Sequence, residues 1–181
     1  MTNRTLYIVV CGAPLASRAG DGIRAAREQG WDAYIIPTDA ALPWLESQDL
    51  NGLTVVSGNR RPSDPQRIPR ADAVVAAPLT FNTLNAWANG NANTYPLTTL
   101  CAALGSRTPT VAVPFAKHDL AGHPAWHASL AVLRYAGVRI IDPHDGSASA
   151  VQPIKSGSGD EVSRGFRWNW VLRQLHEDIP G

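Results

Sequence analysis

Three groups of residues have the types and spacing for chemistry. Thr80, Asn82 and Thr83 follow Pro78 at the end of an apolar run over 73–77. Small polar side chains there, where a helix would begin, set hydroxyls and free backbone amides toward an anion such as a phosphate. The same residue types are ordinary helix caps, so spacing alone leaves a cap and an anion site as alternatives. The second group, Lys117 and the stretch HDLAGHPAWH from His118 to His127, combines a cation, acid/base types and metal-ligand types. The H-E-x-x-H pattern of a helical zinc site is absent, and no metal is expected. The third group is the turn at Gly12 and Ala13, with Ser17 one turn further on. After Gly12 the next glycines are Gly20 and Gly22, inside the following helix, so G-x-G-x-x-G is missing. A single phosphate is compatible with this turn and a dinucleotide is not expected.

The elements that must position these groups follow from periodicity. The β-branched run over 6–10 predicts a strand, and Leu15, Ala19, Ile23 and Ala26 recur at helical spacing behind it. Gly30 stops that helix, and 31–36 predicts a second strand joined by a right-handed crossover. Thr38 and Asp39 stand at the carboxyl end of that strand, where open α/β sheets bind ligands, before a short helix over 40–46. A third strand is predicted at 54–57. The run 73–77 is too short for a helix and apolar throughout, which predicts a strand buried on both faces, central in a parallel sheet and ending at Pro78. Further strands are expected at 110–113 and 138–141, with a helix over 125–136 that opens on Pro124 and stops at Gly137. The polar, proline-rich stretch 59–70 predicts a solvated connection, and the Gly- and Ser-rich stretch 145–160 a mobile loop. An aromatic-rich helix is expected over about 165–177, for the core or for a subunit contact. The fold class is α/β, a Rossmann-like doubly wound parallel sheet of about six strands flanked by helices, in one domain over 1–181.

On these residues the chain resembles the homo-oligomeric flavin-containing cysteine decarboxylases, the family of phosphopantothenoylcysteine decarboxylase and the lantibiotic peptidyl-cysteine decarboxylases. Its hallmark (A)P(L/A)SANT has its counterpart in Ala77, Pro78, Leu79, Thr80, Phe81, Asn82 and Thr83. The family's first turn, G-S-(I/V)-A-A, is here Gly12, Ala13, Pro14, Leu15, Ala16, with the hydroxyl missing; Ser17 is the substitute or a plain helix residue. The threonine closing the family's second strand is kept as Thr38. The motif PxMNxxMW, one residue, His-Pro aligns without a gap from Pro114 to His123 and Pro124, placing Lys117 where the family's carboxylate-binding asparagine lies. The family histidine before the central strand falls at Asp64, and the cysteine of its Gly-rich flap has no counterpart.

The resemblance implies FMN held at Gly12, Ala13, Ser17, Thr38, Pro78, Thr80, Phe81, Asn82 and Thr83, in a trimer or trimer-based homo-oligomer. It implies an FMN-dependent lyase of the oxidative decarboxylase kind. In such enzymes the oxidised flavin takes a hydride from the thiol-bearing carbon, and the resulting thioaldehyde loses its carboxylate as carbon dioxide, leaving an enethiol. Lys117 would anchor the carboxylate of a cysteinyl small molecule or peptide as a point charge, a solvated side chain being the alternative, and His118 would act as acid/base. The altered motif residues point away from the coenzyme A step and toward specialised metabolism. A flavin prenyltransferase-like or flavin-reducing enzyme, and a non-catalytic flavin-binding regulatory subunit, stand as alternatives.

Composition narrows the partners. With 181 residues, 44% of them apolar, the chain can bury a core, and its net charge of +1 with scattered arginines gives no nucleic-acid footprint. Cys11 and Cys101 lie in apolar segments without metal-ligand spacing, which predicts buried, reduced thiols in a cytoplasmic protein. The apolar start is broken by Gly12 and Pro14, so it predicts a strand and turn and not a signal peptide, and no stretch reaches transmembrane length.

Overall fold

The apolar runs and helical stripes assemble as one parallel sheet with helices on both faces. The computed structural model describes residues 4–46, 48, 50–58 and 68–176. Its strands are β1 Arg4–Val10, β2 Trp31–Pro37, β3 Thr54–Val55, β4 Ala73–Leu79, β5 Thr110–Pro114 and β6 Arg139–Ile140, in the order β3-β2-β1-β4-β5-β6 with every pairing parallel. This is the doubly wound order, and the direction of winding reverses between β1 and β4. The helices are α1 Ala19–Glu28, α2 Leu42–Leu45, α3 Phe81–Ala88, α4 Tyr95–Gly105, α5 His118–Ala121, α6 Pro124–Tyr135, α7 Gly159–Gly165 and α8 Trp168–His176. None of the described helices is long and apolar enough to cross a membrane.

Because strand side chains alternate, β4 feeds two cores. Ala73, Val75 and Ala77 pack with Ile23 of α1 and Val171, Leu172 and Leu175 of α8. Val74, Ala76 and Leu79 pack on the other face with Leu84 and Trp87 of α3, Leu100 of α4 and Leu130 of α6. Every residue of β4 is buried, as its uninterrupted apolar run requires.

Several boundaries differ from expectation. The central strand does not end before Pro78: it continues to Leu79 through a cis Ala77–Pro78 bond. The register between β4 and β5 shifts between Ala76 and Leu79, so Pro78 sits where the ladder asks for no N–H donor. The first helix is preceded by a 3₁₀ turn over Pro14–Arg18, with Pro14 at its start where a missing N–H costs nothing. The stretch 145–160 is not a plain loop. Ile154 is buried and bridges Lys117 in parallel, and α7 begins at Gly159. The terminal aromatic segment breaks into two helices around Phe166, and Phe166 and Trp168 enter the core. Arg18 ties this end down: its Nη1 donates to the carbonyls of Ser163 at 2.6 Å and Phe166 at 2.8 Å, while Trp168 Nε1 donates to the Arg18 carbonyl at 3.0 Å. Residues 59–67, with the Asp64 position, lie outside the described residues.

Candidate active site

Parallel strands bring their carboxyl ends to one side, and there the ends of β1, β2, β4 and β5 surround a cleft of about 750 Å³. Backbone hydrogen bonds continue past the strands and lock the four turns together. Thr38 N–H donates to Val10 at 2.9 Å, Cys11 N–H to Pro78 at 3.1 Å and Phe115 N–H to Leu79 at 2.8 Å. The turns abut so closely that a Cβ on Gly12 would lie 2.3 Å from the Ala40 carbonyl oxygen, which makes glycine obligatory at that point.

Of the residues singled out in the sequence, Gly12, Ala13, Thr38, Thr80, Phe81, Asn82, Thr83 and Lys117 line this cleft together. Thr80 is the residue before α3, in extended geometry, and its side chain does not cap the helix; its Oγ1 instead donates to Thr83 Oγ1 at 3.3 Å. The first turn of α3 therefore meets the cleft without a side-chain cap of its own. Thr38 Oγ1 is buried and has no hydrogen-bond partner among the described residues, an orphaned hydroxyl on the wall of a cavity. Lys117 is exposed, and its ammonium has no hydrogen bond or ion pair with any described residue.

Three of the singled-out residues do not reach the cleft surface. Ser17 turns back into its own 3₁₀ turn, donating to the Pro14 carbonyl at 2.7 Å. Pro78 is buried behind the wall, where its carbonyl holds Cys11. His118 opens α5 with its side chain exposed and outside the cleft lining. His123 accepts from the Ala125 N–H through Nδ1 at 3.0 Å, capping α6, and no metal-binding group of three His, Cys, Asp or Glu occurs among the described residues.

Sequence reasoning missed part of the wall. Trp44 closes one side, one helical step beyond the 38–41 turn, and Phe115, Ala116 and Leu120 flank Lys117. Ile154, Lys155, Gly157 and Asp160 arrive from the segment after β6. The glycines of that segment were its only signal; nothing local announces that Lys155 faces the same space as Lys117. Cys11, by contrast, lies behind the cleft, 1% exposed. Burial pushes its thiol up, against the opposing hydrogen bonds of Thr83 and Thr80, so it stays protonated and is no nucleophile. Cys101 is only partly buried, unlike the expectation for it, and its Sγ donates to the Asn91 carbonyl at 3.5 Å.

The coenzyme A biosynthesis bifunctional protein CoaBC of Mycobacterium tuberculosis is 27% identical over 188 residues, covering 98% of this chain and 43% of that protein. The chain thus spans less than half the length of the curated relatives it matches. A solved PPC decarboxylase mutant complexed with pantothenoylaminoethenethiol superposes with a TM-score of 0.69 at 20% identity, covering 98% of this chain and 100% of that one. AnUbiX in complex with FMN and dimethylallyl pyrophosphate gives 0.72 at 16% identity, covering 99% and 97%. Both likenesses establish the fold. The model of the family described as Flavoprotein matches residues 1–159, which takes in all six strands and every cleft-lining residue but Asp160, and the chain belongs to that family.

Proposed function

We propose that the chain is an FMN-dependent enzyme that decarboxylates a cysteinyl small molecule or peptide oxidatively, in a reducing, cytoplasmic setting. The observation that carries the reading is the convergence, at one cleft, of an uncapped helix start, an obligatory glycine turn and an orphaned hydroxyl. A phosphorylated flavin fits such a wall. Gly12 and Ala13 line the cleft where the first turn packs on Ala40, the first-turn amides of α3 suit an anion, and Thr38 Oγ1 has hydrogen-bonding capacity to offer. When bound, the flavin supplies a two-electron acceptor.

The chain's own part is binding and orientation. The Lys117 ammonium, without a partner among the described residues, suits the substrate carboxylate, and Lys155, next to the Ile154 that bridges Lys117, adds a second positive charge at the cleft. Phe115, Leu120 and Ile154 give the cleft apolar surface against which a reacting carbon is held away from water. His118, with its side chain off the cleft, is assigned no proton transfer. Membership of the family and the CoaBC relative support a decarboxylase, and the loss of the family asparagine at Lys117 favours a substrate other than that of coenzyme A synthesis. The UbiX-like neighbour keeps a flavin-modifying role as the second reading, which the His123–Pro124 pair of the decarboxylase motif disfavours.

A homo-oligomer, trimeric or trimer-based, belongs to the proposal. Its support is the exposed apolar side chains of Leu120 on α5 and of Val132 and Tyr135 on α6, Tyr135 being 96% exposed. The six tryptophans do not add to it: Trp31, Trp87, Trp126 and Trp168 are buried in the chain's own core, and Trp44 and Trp170 pack partly buried against it. The absorption spectrum of purified protein, with mass identification of the released chromophore, tests the flavin. Colourless protein that takes up no FMN on titration rejects the reading. Light scattering tests the assembly, and a monomer that holds flavin tightly rejects that part.

A further inference from the structure

We propose that Asp142 is a positioning residue that holds segment 150–157 in place as a wall of the cleft. The proposal takes the cleft above as the ligand site and to that extent rests on the flavin reading. Asp142 follows β6 and is 1% exposed, so its carboxylate needs compensation from donors. Those donors come from both limbs of the loop it starts. Oδ1 accepts the His144 N–H at 2.7 Å and meets His144 Nδ1 at 2.8 Å, and Oδ2 accepts the N–H of Gln152, ten residues along the chain. The Asp142 backbone adds two bonds, its N–H to Ser147 at 2.8 Å and its carbonyl from Gly146 at 2.9 Å. Holding the buried charge and closing the loop are therefore one event.

What the closed loop delivers lies immediately beyond the clip. Ile154 N–H donates to Ala116 at 2.8 Å, and the Ile154 carbonyl accepts the His118 N–H at 3.1 Å, which stitches the segment to the residues on either side of Lys117. Lys155 and Gly157 then face the cleft, and a Cβ on Gly159 would lie 2.8 Å from Pro14 Cγ, so the segment ends packed on the first turn. Asp142 itself does not line the cleft. It acts through the segment, setting where Ile154 and Lys155 stand relative to Lys117.

Asp142→Asn tests this with near-constant shape. An amide keeps one acceptor, so its NH₂ faces a backbone N–H on one limb whichever way it is turned. Amide hydrogen exchange at Gln152 and Ile154 should accelerate about 10- to 100-fold, and tryptic cleavage after Lys155 should quicken by a similar factor. Amides of β4 and β5 should stay within about threefold of wild type. Unchanged exchange in the segment overturns the proposal, and so does equal acceleration in β4 and β5, which would make Asp142 a general structural residue. His144→Ala keeps the backbone donor and removes a side chain that is 36% exposed, so it should change segment exchange by less than about threefold. An effect as large as that of Asp142→Asn would place the hold in the ring and overturn the Gln152 clip. Should Asp142→Asn fail to fold, Gln152→Pro removes the donor from the other side, and Ile154 exchange and cleavage after Lys155 are read in the same way. FMN added to wild type should slow cleavage after Lys155. If FMN gives no protection while Asp142→Asn still releases the segment, the flavin reading fails and the role of Asp142 stands.

Discussion

Thr38→Val separates a ligand-binding hydroxyl from a structural one, because the two roles give opposite signs. Thr38 Oγ1 is buried without a partner among the described residues, and Thr38 lines the cleft. In the ligand-free protein an unsatisfied buried hydroxyl costs about 1–3 kcal/mol, with the low end appropriate where water can enter a neighbouring cavity. Valine has the same shape and nothing to satisfy. The ligand-free variant should gain about 1 kcal/mol, which for a chain of this size raises Tm by about 2–4 °C. Binding should move the other way, since a polar group of FMN that meets the hydroxyl in wild type meets a methyl in the variant. A loss of about 1–2 kcal/mol is about a 5- to 30-fold weaker Kd. Thermal unfolding without and with FMN, together with quenching of flavin fluorescence on titration, measures both signs. Ser17→Ala serves as the control, because its hydroxyl is spent on the Pro14 carbonyl and Ser17 does not line the cleft, and it should leave FMN affinity unchanged. If Thr38→Val lowers the ligand-free Tm, or leaves FMN affinity at the wild-type value, the hydroxyl is not waiting for a ligand and the assignment of Thr38 is wrong.

Lys117→Ala should retain flavin and weaken thiol-bearing carboxylic acids by about tenfold, the low end for a charge-assisted contact because the lysine is exposed, and anaerobic flavin bleaching over a panel of cysteinyl compounds reads it out. Equal bleaching by variant and wild type would move the carboxylate anchor elsewhere, Lys155 first. Gly12→Ala should cost about 1–3 kcal/mol, because the new methyl collides with backbone at Ala40 and the 38–41 turn must shift; denaturant unfolding and an FMN titration should both register it. Tyr7, whose hydroxyl donates to the Pro69 carbonyl, has its phenol pushed up to about 12 by burial first and by neighbouring Tyr95 and Tyr34 second. Above pH 10 the unfolded chain gives up this proton while the folded one keeps it, so its contribution is full below pH 10 and is lost as the pH rises from 10 toward 12. Tyr7→Phe should flatten that part of the alkaline unfolding curve, and an unchanged curve would show that Tyr7 does not titrate this way.

The sequence by itself determined the wound sheet and the floor of the site. An apolar run of strand length at 73–77, helical stripes between runs and a polar turn after Pro78 are local patterns, and local patterns encode which face of an element is buried. Because parallel strands must end on one side, Thr38, the turn at Gly12 and Thr80–Thr83 converge once the order of strands is known. Even within these turns, rotamers and hydrogen bonds were beyond sequence: Ser17 bonds its own turn, His118 stands outside the cleft, and Thr80 pairs with Thr83 where a helix cap was an equal alternative. The far wall was decided only by the tertiary structure. Ile154 meets Ala116 and His118 across more than thirty residues, Arg18 holds Ser163 and Phe166 across the length of the chain, and Asn85 of α3 receives Ser129 of α6 at 2.7 Å. No periodicity carries such contacts, because each is set by where a crossover returns the chain. A glycine-rich stretch whose composition predicts mobility is instead bridged to Lys117 through Ile154 and bonded to one buried carboxylate, Asp142, whose partners lie on both limbs of its loop.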